Sequence, residues 1–147
     1  MMKKRFVCIL KVNFIVLIFI ASCFSLIADV HAAQNSWITV ADEIEKALNT
    51  ATSTHEKGKT DQAMEMVADA YFGIFEGEKA NMEIAVRRFI NLKKSSELEK
   101  GFADLRKAIK EGIKPSDFTR QVSNLIEAVK AAAKELDRKG VKLSSEF

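Results

Sequence analysis

From Trp37 onward, apolar residues return every three or four positions, the spacing that lines one face of an α-helix. Trp37, Val40, Ile44, Leu48 and Ala51 predict a first helix over about Thr39 to Lys57, stopped by Gly58. Thr60 or Asp61, either able to cap free backbone amides, opens a second; its stripe is Ala63, Met64, Val67, Ala70, Tyr71, Ile74 and Phe75, and Gly77 ends it. A third starts near Asn81 with Met82, Ala85, Val86 and Phe89 and runs through Leu98, Phe102, Leu105 and Ile109 to Gly112. Its stripe lapses from Lys93 to Glu97, which predicts one long helix with a polar or kinked middle, two shorter helices being the alternative. Pro115 and Gly140 frame the last helix, whose Phe118, Val122, Leu125, Ile126, Val129, Ala132, Ala133 and Leu136 give the cleanest amphipathic pattern.

Helices with one apolar face and short connectors bury those faces best side by side and antiparallel. The expectation is therefore an all-α fold, an up-and-down four-helix bundle, in one domain over residues 33–147. No alternating strand pattern of useful length, internal repeat or low-complexity tract competes with it. The tail from Lys142 to Phe147 is expected to fray.

Ahead of the first helix the pattern changes. A basic start at Lys3, Lys4 and Arg5, an apolar run from Phe14 to Ala28 and small residues at Ala32 and Ala33 follow the order of a secretory signal peptide. The run is shorter than the ~20 residues that span a bilayer, so a cleaved signal over residues 1–32 is expected rather than a retained anchor. Cleavage after Ala32 gives a periplasmic or extracellular protein. Ile20-Ala21-Ser22-Cys23 offers a second processing site, resembling a lipobox with a lipid anchor at Cys23, but the apolar Phe24, Leu26 and Ile27 continue the signal core past it.

Removing the signal changes the charge and the cysteine inventory. Lys3, Lys4, Arg5 and Lys11 among the 23 basic residues, and Asp29 among the 20 acidic, lie before Gln34, so 19 of each remain. A neutral domain carries no basic patch for nucleic acid. Both cysteines, Cys8 and Cys23, leave with the signal, which excludes disulfides, thiolate metal sites and c-type haem attachment. His55 is the one histidine of the remaining chain; it stands near a helix end without a catalytic motif and is expected to be solvated, so no hydrolase and no enzyme is expected. A haem bundle would have to use His55 with Met64, Met66 or Met82, and methionines at such spacing are ordinary core filler.

The more distinctive stretch runs from Asp69 to Arg87. Glu76 and Glu83 flank a glycine-containing connection, Arg87 lies one turn after Glu83, and Glu97 and Glu99 lie where the long stripe lapses. An ordinary Glu83–Arg87 ion pair is one account of these residues. A hard-cation site is the other, because carboxylate oxygens projected from neighbouring helices suit such ions.

At these residues the sequence resembles the extracytoplasmic N-terminal domain of many bacterial FTR-type high-affinity iron permeases. The matching elements are Ile44 to Ala47, Ala70-Tyr71-Phe72 leading to Phe75-Glu76-Gly77, Met82-Glu83 to Arg87, and Glu97-Leu98-Glu99 followed by Phe102 and Leu105-Arg106-Lys107. The resemblance implies a helical periplasmic domain that assists delivery of ferric or ferrous iron to a membrane permease, with Glu76, Glu83 and Glu99 as acidic positions that meet the metal. Lys79, in the lengthened connection Glu78-Lys79-Ala80, would oppose a cation there. Family permeases carry an Arg-Glu-x-x-Glu motif in membrane helices, which this chain lacks, so it looks like the soluble module alone or a piece of a longer permease. The alternative is a structural or protein-interaction module of the cell envelope that binds no metal.

Overall fold

The computed structural model describes residues 36–77 and 81–143; the expected signal peptide, its cleavage site, Cys23 and the Glu78-Lys79-Ala80 connection lie outside them. Ser36 opens the first helix, α1 (Trp37–Glu56), its Oγ accepting from the Thr39 amide at 3.4 Å. Gly58 follows at φ +74, a left-handed turn that glycine adopts without a Cβ clash. The second helix, α2 (Thr60–Asp69), starts without the cap expected of Thr60 or Asp61. Lys59 is the residue at the cap position, and its carbonyl takes the Ala63 amide at 2.9 Å, while its own amide reaches back to the Thr54 carbonyl. The tight return from α1 thus satisfies the backbone, and Asp61 merely adds negative charge to the first turn.

After Asp69 the helix widens into a π-helical turn, Ala70–Phe75. One extra residue per turn keeps Ala70 and Phe75 in the core and rotates Phe72 outward, leaving it 58% exposed. Gly77 ends the segment for a steric reason: a Cβ there would collide with the Gly73 carbonyl oxygen.

The third predicted helix is two. Helix α3 (Met82–Phe89) closes when the Ile90 and Asn91 amides both bond to the Val86 carbonyl, at 2.9 and 3.0 Å. Asn91 is extended, and its Oδ1 accepts from the Lys94 amide at 2.7 Å to cap α4 (Leu92–Lys110). The break therefore falls at Ile90–Asn91, just ahead of the polar run expected to mark it. That run is mainly the solvent face of α4, with Lys93 and Lys94 approaching Glu97 at 3.9 and 4.0 Å. Ser95 alone in it is fully buried. Helix α5 (Pro115–Arg138) begins and ends as the sequence indicated, with Pro115 in its first turn and Gly140 at φ +68 beyond it.

Among the described residues the fold is all-α, with five α-helices and the π-helical turn where four helices were expected. Helix α1 packs mainly on α5 and α2, and α4 packs on α2, α3 and α5. Ile44, Leu48, Val67, Phe75, Leu98, Phe102, Phe118, Val129 and Leu136 fill the space between them. Burying a large apolar side chain contributes about 1.5–3 kcal/mol, and no cysteine stands among the described residues, so packing must hold the domain together. None of the described helices is long and apolar enough to cross a membrane.

His55 departs from its expected place in solvent. It is 8% exposed, its ring meets Phe118 edge-on at 4.9 Å, and its Nε2 lies 3.1 Å from the Ile113 carbonyl. A carbonyl can only accept, so Nε2 carries the proton, and the buried Nδ1 has no hydrogen-bond partner. The polar letters around it in the sequence hid that α1 ends beneath the α4–α5 connection.

Candidate functional site

Glu83 sits in the first turn of α3 and is 7% exposed. A carboxylate at that depth needs a partner, and one helical turn later Arg87 supplies it, Nη2 donating to Glu83 Oε1. The pair foreseen as an ordinary surface contact is thus half-sunk, its acid buried and its base exposed. Arg87 also reaches Glu99 Oε1 on α4 at 3.5 Å, so one guanidinium ties two helices.

Ser95 completes the seam. Its Oγ lies 2.9 Å from Glu99 Oε1 and 3.3 Å from the Glu83 carbonyl, and its single proton serves the charged, nearer acceptor better. The sequence offered a faint signal for Ser95: it lies four residues before Glu99, hence on the same face of α4. A serine in a polar run does not advertise burial.

Burial pushes the Glu83 carboxyl above the usual carboxylate range; Arg87 opposes this, while the charges of Glu99 and Glu76 and a hydrogen bond with Glu99 add to it. The same group surrounds Tyr71. Burial raises its phenol, the charges of Glu76, Glu99 and Glu83 raise it further, and Arg87 acts against them. All three acidic positions singled out in the sequence, Glu76, Glu83 and Glu99, therefore act on one another or on Tyr71 across the junction of the π-helical turn, α3 and α4. They are unequal. Glu83 and Glu99 share Arg87, whereas Glu76 lies exposed at the end of the π-helical turn. Glu97 belongs elsewhere, on the lysines of its own helix.

Among the described residues, no three His, Cys, Asp or Glu side chains gather closely enough to hold a metal ion. The donors that fit a hard cation are the Glu83 and Glu99 carboxylates with the Tyr71 phenol beside them, and Arg87 occupies the position a cation would take. Its side chain is about half exposed. Comparison with protein-family models, curated proteins and solved structures finds no match for this chain.

Proposed function

We propose that the chain is an exported, non-enzymatic accessory of iron uptake, periplasmic or extracellular, whose carboxylate seam meets ferric or ferrous iron weakly before a membrane permease takes it. Its domain is an up-and-down bundle in which α3 and α4 together act as one strut. The observation that carries the reading is the meeting of Glu83 and Glu99 on a single arginine, with Tyr71 and the charge of Glu76 nearby. Hard oxygen donors of this kind suit iron.

Titration with ferric citrate or ferrous iron tests it. Iron should raise the melting temperature, and the double variant Glu83→Gln/Glu99→Gln should weaken binding by about tenfold or more. Arg87→Ala, which removes the competing charge, should tighten it. Unchanged binding in both variants would sink the site.

A second reading has its own support: Arg87 and Ser95 already satisfy the two buried-side carboxylates, as in a purely structural seam. A structural or protein-interaction module then results, docking on a permease or another envelope protein without metal. It predicts no iron-dependent melting shift and a loss of stability in Arg87→Ala.

A further inference from the structure

Beside the seam, the π-helical turn and α4 enclose an open cleft of about 370 Å³. Its walls are aromatic: Tyr71 and Phe102 stand 5.4 Å apart between ring centres, and Phe72 meets Tyr71 edge-on at 4.8 Å. The widened helical turn is what brings Phe72 to this rim, where it is one of only two large hydrophobic side chains exposed among the described residues. Exposing a phenylalanine sacrifices the burial that would otherwise stabilise the fold, and π-helical turns recur at functional sites.

One helical turn beyond Phe102, Arg106 lines the same cleft. It has no ion pair or hydrogen bond among the described residues, unlike the neighbouring Lys100, which is held by Asp104 at 2.5 Å. Ser96 adds a hydroxyl, and Glu99 is already engaged by Ser95 and Arg87 on the seam side. The cleft thus offers flat apolar faces and one uncompensated planar cation, a fork that matches a carboxylate.

We propose that this cleft binds a small aromatic carboxylate, its ring laid against the aromatic wall of Phe72, Tyr71 and Phe102 and its carboxylate on Arg106. The volume lies at the small end of ligand sites, which suits a molecule of one or two fused rings. An anion is selected over a cation by Arg106, and a neutral ring would leave the guanidinium without a partner. The site stands independently of the iron reading and uses no metal.

The probe is 2-naphthoate, titrated into the 15N-labelled full chain in buffer containing EDTA and followed by amide chemical shifts. Saturable binding with a dissociation constant of roughly 0.1–1 mM is expected for so small a ligand, with the shifts centred on Tyr71, Phe72, Phe102 and Arg106. The neutral 2-naphthamide and the variant Arg106→Gln should each weaken binding by about fivefold or more, and Phe72→Ala should weaken both ligands alike. Both replaced side chains are exposed, so the fold should survive, which unchanged helical circular dichroism would verify. Equal binding of acid and amide, an unaffected Arg106→Gln, or shifts centred on other lysine-lined surfaces would overturn the proposal. Because EDTA removes iron, failure here leaves the seam untouched, and failure of the iron titration leaves this cleft untouched.

Discussion

Glu83 binds its proton more tightly in the folded protein than in the unfolded chain, chiefly because it is buried. As pH rises past the ordinary carboxyl value, the unfolded chain releases its proton first, so the stability associated with protonated Glu83 is lost as pH climbs through the folded value. Glu83→Gln removes that dependence. Urea denaturation between about pH 4 and pH 7 should show wild-type stability falling relative to the variant as pH increases; parallel curves would contradict the assignment. The acidic positions were legible in the sequence because Glu76, Glu83 and Glu99 stand beside a distinctive aromatic and glycine phrase. Ser95 and the burial of His55 were not, since each depends on what a distant segment lays over it, and polarity in the sequence argued for solvent; Tyr71 was read as a stripe residue and not as part of the site.

Asp137 shows the same limit at the level of an element. Near the end of α5, its carboxylate accepts from the Trp37 and Ile38 amides at 2.9 and 3.2 Å, capping α1 from a hundred positions away. These are amides that a helix start cannot satisfy internally. Asp137→Ala should cost about 1–2 kcal/mol in urea denaturation, as lost caps do, while Asp137→Asn, which keeps one of the two accepting oxygens, should retain part of it. No difference between the two variants would show that the contact contributes little. Helix ends governed by local rules, at Gly58, Pro115 and Gly140, were foreseeable; the α3–α4 break was only the second of two readings, because Asn91 replaced a continuous turn with a cap and the apolar stripe resumes at Leu98. The π-helical turn was equally hidden, its inward residues falling on positions that an ordinary helix would also bury.

At the scale of the domain, the first helix is tied to the last helix and to the chain just beyond it. Trp37, the sole tryptophan, is 1% exposed and donates from Nε1 to the Val141 carbonyl at 2.6 Å. Lys130 adds a second tie, reaching Asp42 and Glu45 of α1 at 3.2 and 2.5 Å. With one continuous core, loss of that indole environment and loss of helix should be the same event. Tryptophan fluorescence and far-ultraviolet circular dichroism should therefore report coincident melting transitions, and separated midpoints would mean that the helices come apart in stages. The all-α class was legible because every helix carries an apolar stripe of helical period; the count was left between four and five, since periodicity passes over a two-residue interruption.

The indole contact with Val141 also fixes where polypeptide can be added. Trp37 and Val141 meet at one end of the packed helices, so polypeptide attached at the described residues Ser36 or Leu143 would crowd that end and leave the Gly58 and Gly112 turns clear. A linker of only a few residues joining those two positions would respect every helix described.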